Sequence, residues 1–249
     1  TLRYTNAATG VDADEALRTA LAEESRWSSL MAEATARHGK GDVLVLSLRW
    51  PLYFDPGFLP DSGLRRTSHF DPISQETISR SQALNRWIEG VGQIAADHPD
   101  LPLVLLLPTP EFGGGVPAQL CEPQVFRPRL PQDCIGGIDR RPMDRFASYL
   151  QRQLAPLRAQ HRQILVIDPL DSLCPPQLGR CPRVKGGKLL YSDGDHLSLD
   201  GAMLVLDDLV TNLRRRGLIA AGAFAASTPS TSAALPPSQA ATDHGAASH

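Results

Sequence analysis

Residues 43–50, Val-Leu-Val-Leu-Ser-Leu-Arg-Trp, carry the pattern that most directly predicts the fold. The first four residues are apolar without alternation, which is typical of a strand buried on both faces of a parallel sheet. Two further short apolar runs, residues 103–107 and 164–167, have the same character. Because segments with helical periodicity separate the three runs, we predict an α/β fold whose parallel sheet is covered by helices on both faces.

Four amphipathic segments supply the predicted helices. The first runs from about residue 12 to residue 38, and the second follows a loop rich in Pro, Asp and Gly at residues 51–72. Pro142 suits the first turn of the third helix, and Ser198 suits the N-cap of the last. The apolar residues expected to face inward are Trp27, Leu30, Met31 and Ala34; Leu84, Trp87, Ile88, Val91 and Ile94; Met143, Phe146, Ala147, Leu150 and Leu154; and Ala202, Val205, Leu206, Leu209 and Leu213.

Length and composition indicate one domain followed by a tail. The 249 residues are enough for a single α/β domain, and a net charge of -2 with both signs dispersed does not favour nucleic acid as a partner. The longest apolar run is too short to cross a bilayer. We predict a domain over residues 1–217 and an Ala/Ser/Pro-rich tail over 218–249 that cannot bury enough apolar surface to fold. A chain that begins at Thr1 is expected to be processed or cut from a larger polypeptide.

The four cysteines lie in Pro-rich, loop-like sequence. Four cysteines can be joined in three ways, and we favour the one that forms the two local disulfides, Cys121–Cys134 and Cys174–Cys181. Neither spacing is that of a C-x-x-C motif and no His lies at zinc-finger spacing, so no metal site is predicted. An even number of loop cysteines suits an oxidising compartment. Four unrelated free thiols in a cytosolic protein are the alternative.

The segment Tyr191-Ser192-Asp193-Gly194-Asp195-His196-Leu197-Ser198 holds the candidate catalytic pair. Asp193 precedes His196 by three residues, so its carboxylate can bind Nδ1 of the ring and leave Nε2 free to take a proton from a hydroxyl. Asp195 is less suited to that role because adjacent residues point away from each other. A solvated His after an Asp-Gly turn is the alternative, and a calcium loop is excluded because Ser198 stands where that loop needs a glycine.

Three further candidates lie where the predicted strands end. Because ligands bind beyond the carboxyl ends of parallel strands, Arg49, Trp50 and Glu111 are expected on the same rim as the histidine segment. Arg49 and Trp50 are candidates for an oxyanion or sugar site, although an Arg satisfied by loop carbonyls and a Trp that caps the core are equally ordinary interpretations. Glu111 is a weaker substrate candidate because exposed glutamates are common in loops.

A nucleophile is harder to find. The chain has no G-x-S-x-G elbow. Ser62 has no preceding strand, and Ser172 follows the strand at residues 164–167 with Pro169 and Leu170 in between. No serine in this chain therefore stands where a Ser-His-Asp site needs one, and we expect the nucleophile to lie upstream of the first residue.

The run at residues 44–50, together with Tyr191-x-Asp193-x-x-His196-Leu197-Ser198-x-x-Gly201-Ala202, resembles the SGNH (GDSL-like) hydrolase superfamily. More narrowly, it resembles the SGNH domain fused behind the acyltransferase-3 (AT3) membrane domain in bacterial surface-polysaccharide O-acyltransferases. The resemblance covers roughly residues 2–218 and implies a three-layer α/β/α, flavodoxin-like sandwich. In that family the first strand ends in Gly-Asp-Ser, a block absent here, and residues 2–4 would be the remnant of the second strand.

The resemblance also assigns roles. Asp193 and His196 match the final family block, Arg49 and Trp50 mark the third block although its usual Asn is not evident, and the pair of Cys174 with Cys181 suits the group. It implies that an upstream serine takes up an acyl group or attacks an ester, with His196 as base and then acid, while Arg49 and the loop at residues 113–115 shape a sugar site.

The expected partners are a cell-envelope glycan, an acyl donor and an upstream membrane domain, with the site on the periplasmic side. No cofactor is expected, and the chain as given is expected to be inactive. The alternative function is a non-catalytic carbohydrate-binding or scaffolding module that retains the fold.

Overall fold

The computed structural model describes residues 3–5, 29–39, 41–54, 57–59, 68–71, 76–112, 121, 134 and 136–219. The strands are β1 (Arg3–Thr5), β2 (Leu44–Ser47), β3 (Ser68–Asp71), β4 (Glu76–Ile78), β5 (Leu103–Leu106), β6 (Ile138–Asp139), β7 (Ile164–Ile167), β8 (Arg180–Cys181), β9 (Val184–Lys185) and β10 (Lys188–Leu189). The helices are α1 (Trp50–Phe54), α2 (Arg80–Asp97), α3 (Arg141–Gln160), α4 (Leu170–Leu173) and α5 (Leu199–Arg215), and residues 29–36 are also helical.

A parallel sheet of three strands lies at the centre, in the order β2-β5-β7. Its register pairs Leu44 with Leu103 and Leu103 with Ile164, so the three predicted apolar runs are adjacent strands. The middle strand is almost wholly buried, as expected for a strand without polar alternation. The fold is therefore a mixed α/β structure with a three-strand parallel sheet flanked by helices.

The helices bury most of the faces predicted for them. Helix α2 begins with a capping box in which Ser79 and Gln82 bond each other's backbone amides. Helix α3 buries all five of its predicted core residues and Leu157 as well. Helix α5 is capped by Ser198 and packs Leu209 and Leu213 against the sheet. No described helix is long and apolar enough to span a bilayer.

A second core cluster supports the end of the sheet where the strands terminate. It contains Phe112, Met143, Leu170, Leu173, Cys174, Cys181, Leu190, Tyr191 and Val205. The structure contains the disulfide Cys174–Cys181 inside this cluster and the disulfide Cys121–Cys134, with Cα–Cα distances of 4.4 and 5.4 Å. These are the two local pairings.

The segments around the sheet depart from the sequence prediction. Strand β1 does not join the parallel sheet as a remnant second strand, because it pairs antiparallel with β3, which pairs in turn with β4. The stretch predicted as a loop at residues 51–72 contains β3 and most of α1. Of the predicted tail, residues 218 and 219 pack against the core. The remaining tail, the helix before residue 29 and the loop at residues 113–115 lie outside the described residues.

The outer side of β2 is the open part of the fold. Within the described residues β2 pairs only with β5, and Val45 is 39 % exposed. Leu206 of α5, predicted to face inward, is 40 % exposed, and Leu30 and Ala34 are exposed too. Beside them is a groove of about 560 Å³, lined by Ala34, Arg37, His38, Gly41, Asp42, Val43, Leu44, Val45, Leu101, Leu206, Leu209, Val210, Leu213 and Ile219. Several apolar side chains predicted as core thus line a groove next to the edge of β2 that no described strand pairs with.

Candidate active site

The histidine segment is a short loop closed by backbone hydrogen bonds. Tyr191 forms a β-bridge with Leu197, the amide of Ser192 donates to the His196 carbonyl at 2.9 Å, and the amide of Ser198 donates to the Leu190 carbonyl at 2.9 Å. The Tyr191 ring is fully buried in the second core cluster. The base of the loop is therefore anchored, while its tip lies at the surface.

Asp193 and His196 form the expected pair at the tip of this loop. Oδ2 of Asp193 lies 2.7 Å from Nδ1 of His196. Oδ1 accepts hydrogen bonds from the amides of Asp195 at 2.9 Å and His196 at 2.7 Å. The His196 side chain is 72 % exposed, and no described residue hydrogen-bonds to its Nε2. The ring is thus fixed at one nitrogen and accessible at the other.

These contacts set the protonation of the pair. The amide donors of Asp195 and His196, in that order, and then the bond from the ring hold the pKa of Asp193 well below its usual range. The bond to Asp193 raises the pKa of His196 above its ordinary 6.5, with smaller contributions from the charges of Asp193 and Asp195. Because the ionised carboxylate can only accept, neutral His196 carries its proton on Nδ1 and presents a free lone pair on Nε2.

An ion-pair cluster joins the ends of two strands to this loop. Nε of Arg49 lies 3.1 Å from Oε1 of Glu111, and Nη2 of Arg49 lies 2.5 Å from Oδ2 of Asp195. Arg49 follows β2, Glu111 follows β5, and Asp195 lies between Asp193 and His196 in the sequence. The structure therefore brings Arg49 and Glu111 to the histidine loop, and occupies two guanidinium nitrogens with carboxylates.

Asp195 lies closer to the ring than the sequence argument allowed. Its Oδ1 is 3.4 Å from Nδ1 of His196, beyond a good hydrogen bond but within range of electrostatic attraction. Asp193, Asp195 and His196 offer ligand atoms within 4.8 Å of one another. The guanidinium of Arg49 already neutralises Asp195, so we assign no metal to this cluster.

Trp50 is a core residue next to the rim. Its ring is fully buried between Phe54 and Trp87, and its indole N–H donates to the Leu106 carbonyl at 2.7 Å. A fully buried ring offers no surface to a substrate. The described structure therefore gives Trp50 a packing role and corrects its prediction as a residue of the oxyanion or sugar site.

Phe112 connects the loop after β5 to the histidine loop, a contact that the sequence analysis did not predict. Its amide donates to the Gly194 carbonyl at 2.6 Å. Its ring packs edge-to-face on Tyr191, with centroids 4.6 Å apart, and the Arg183 guanidinium lies 4.6 Å from its centre. The sequence feature related to this contact is the aromatic residue Tyr191 beside the Asp–His motif, on which the Phe112 ring packs.

The start of α5 explains the Ser-x-x-Gly part of the motif. The Ser198 hydroxyl accepts from the Gly201 amide at 3.1 Å and donates to the Leu189 carbonyl. A Cβ at position 201 would lie only 2.1 Å from the Leu190 carbonyl oxygen. Glycine is needed here because the backbone of α5 touches the backbone of Leu190, the residue that follows β10.

No described serine hydroxyl hydrogen-bonds to the His196 ring. The hydroxyl of Ser192 donates to the main-chain carbonyl of His196 at 3.2 Å. Ser172 lies in α4, where its carbonyl accepts from Lys185, and Ser62 lies outside the described residues. The described part of the site thus has a candidate base and a candidate orienting carboxylate, and no described serine hydroxyl bonded to the ring.

Comparison with known proteins places the chain in a family. A family model described as "SGNH domain (fused to AT3 domains)" matches residues 5–210. No curated protein and no solved structure gives a significant match. The matched range contains the parallel sheet, the two strand ends at the rim and the Asp–His loop. The chain belongs to the family of SGNH domains that are fused to AT3 domains.

Proposed function

We propose that the chain is the SGNH domain of an O-acyltransferase acting on cell-envelope polysaccharide, and that Asp193 and His196 activate a serine supplied by a segment upstream of residue 1. The observation that carries the proposal is the imidazole bonded through Nδ1 to an ionised carboxylate, with Nε2 open at the rim of a parallel sheet. That arrangement lets neutral imidazole accept a hydroxyl proton while the carboxylate stabilises the resulting imidazolium. Membership of the AT3-fused SGNH family supports acyl transfer as the chemistry.

The reaction follows from that geometry. Nε2 of His196 takes the proton of the serine hydroxyl as the oxygen attacks the carbonyl carbon of an acyl donor. The tetrahedral intermediate collapses, the bond to the donor's leaving oxygen breaks, and the imidazolium returns the proton to that oxygen. In the second half, Nε2 of His196 takes the proton of a sugar hydroxyl as that oxygen attacks the acyl carbon; the bond from the serine oxygen to the acyl group then breaks, and the imidazolium returns the proton to the serine oxygen. Water in place of the sugar would give ester hydrolysis.

The open edge of β2 supports the placement of the serine. A strand paired parallel to β2 would end at the same rim as Arg49, and its apolar residues would fill the groove beside Val45 and Leu206. With that strand the sheet becomes the centre of a three-layer, flavodoxin-like sandwich. Exposed apolar side chains beside a strand edge that no described strand pairs with are unfavourable unless something covers them, so the groove favours an additional strand.

The two disulfides support an extracytoplasmic position. Disulfides persist in oxidising compartments such as the periplasm, and are rare in the cytosol. An AT3 membrane domain would anchor the SGNH domain on that face and deliver the acyl donor. The partners in this proposal are therefore the membrane domain, an acyl donor and a surface glycan.

The test is glycan acylation by the full-length polypeptide in membranes, with three variants. H196A removes the base and is expected to abolish transfer, and D193N is expected to reduce it strongly. D200N is the matched control, because Asp200 is another exposed carboxylate near the loop whose partner is Lys188. Normal acylation by H196A would refute the catalytic role of the pair and favour a non-catalytic glycan-binding module.

A further inference from the structure

Two carboxylates compete for one imidazole nitrogen in this site. Nδ1 of His196 has Asp193 Oδ2 at 2.7 Å and Asp195 Oδ1 at 3.4 Å. Both carboxylates lie on the same short loop and within 3.4 Å of the same nitrogen, so the position of Asp195 affects which of them binds the ring. A ring bonded to Asp195 would point Nε2 in a different direction. Something must favour the first arrangement.

Arg49 is the group that does so. Its Nη2 binds Oδ2 of Asp195 at 2.5 Å, the oxygen that does not face the ring. Its Nε binds Glu111 at 3.1 Å, and the Glu111 side chain is only 8 % exposed, so that half of the guanidinium is held by a nearly buried anchor. The planar guanidinium keeps its two donors in a fixed relation. Glu111 therefore aims Arg49 at Asp195.

We propose that Arg49 is a positioning residue: held by Glu111, it restrains and neutralises Asp195, so that the Nδ1–H of His196 stays bonded to Asp193. The catalytic meaning of this role rests on the proposed function, but the restraint itself is a property of the chain. Arg49 acts through two carboxylates and is not assigned to the reacting atoms.

The charges around the ring also support a role for Arg49 in keeping His196 able to act as a base. The charged groups of the described structure around the ring are Asp193 and Asp195 on its own loop, Arg49 after β2 and, beyond Arg49, Glu111 after β5. The positive charge of Arg49 lowers the pKa of His196 directly, against the two carboxylates that raise it. Without Arg49, the two carboxylates beside the ring would raise the pKa of His196 without the opposing charge of Arg49, and the protonated form would be favoured. Protonated His196 cannot serve as a base.

The experiment measures the pKa of His196 by NMR titration of the 249-residue chain with ¹³C-labelled histidine, the signal being assigned with H196A. R49Q is expected to raise the pKa of His196 by about half a unit. The effect is modest because solvent screens the charge of Arg49 at an exposed ring. The double variant R49Q/D195N is expected to return it toward the wild-type value. R141Q is the control, because Arg141 forms a more exposed ion pair with Asp139 elsewhere in the structure.

An unchanged His196 pKa in folded R49Q overturns the proposal, as does a rise that R49Q/D195N fails to reverse. If R49Q does not fold, D195N alone decides: removing the second carboxylate is expected to lower the pKa, and no change overturns the role of Asp195. In the full-length polypeptide, R49Q is expected to move the acidic limb of kcat/KM upward by the same amount. A shifted pKa with no acyl transfer by any form would leave the restraint intact and refute the proposed function alone.

Discussion

Replacing Gly201 by alanine tests how the histidine loop is packed against the rest of the domain. The new Cβ would lie 2.1 Å from the Leu190 carbonyl oxygen, whereas ordinary contacts begin at 3.4 Å, so α5 must move away from the backbone of Leu190. Forced separation in a packed interior costs about 1–3 kcal/mol. The same carbonyl accepts the Ser198 amide at 2.9 Å, and weakening that bond adds about 1 kcal/mol. Better helix propensity of alanine offsets about 1 kcal/mol.

We therefore expect G201A to lower the free energy of unfolding by about 2 kcal/mol, measured by urea denaturation followed by circular dichroism. The matched control is G90A, because Gly90 is in the middle of α2 and a Cβ there meets nothing within 4 Å. G90A should gain up to about 1 kcal/mol from helix propensity. If G201A is as stable as the wild type, or more stable as G90A is expected to be, the close approach of α5 to Leu190 is refuted, and with it the placement of the histidine loop.

Two further predictions concern the pair and its support. Because the pKa of His196 is raised above 6.5, acyl transfer by the full-length polypeptide should fall as the pH drops through that raised value. In a pH–rate profile, D193N should move this acidic limb to lower pH and reduce kcat by about 10⁴-fold. A limb that stays in place in D193N would show that Asp193 does not set the base. W50F should lose about 2 kcal/mol of stability, because the Leu106 carbonyl loses its donor and the smaller ring leaves space, whereas W87F, at a half-buried position, should lose less by the same urea assay.

The sequence identified the parts of the fold that depend on local pattern. The runs that became β2, β5 and β7 are continuous apolar stretches, and such stretches reveal buried parallel strands without knowledge of their neighbours. The antiparallel sheet of β1, β3 and β4 was missed because it joins residues far apart in sequence, in a stretch rich in turn residues. Leu206 was assigned to the core because amphipathic periodicity indicates a face that needs covering, not whether the cover is present.

The candidate site shows the same difference between local contacts, which the sequence predicts, and long-range contacts, which it does not. The Asp193–His196 pair is local, since three residues of spacing at a helix start already place the carboxylate at Nδ1. The contacts of Arg49 are not local, because Glu111 and Asp195 reach it from other parts of the chain. The sequence argument therefore placed Arg49 at the rim but assigned it to substrate rather than to the carboxylates.

The most direct test of the catalytic pair is to locate the hydroxyl that it activates. The full-length polypeptide is treated with a fluorophosphonate, which bonds covalently to activated serine oxygens, and the modified residue is mapped by mass spectrometry. We predict one modified serine upstream of Thr1, with modification lost in H196A and retained in D200N. Modification of a serine within residues 1–249, or unchanged modification in H196A, would contradict the proposal that His196 activates a serine carried by a strand beside β2.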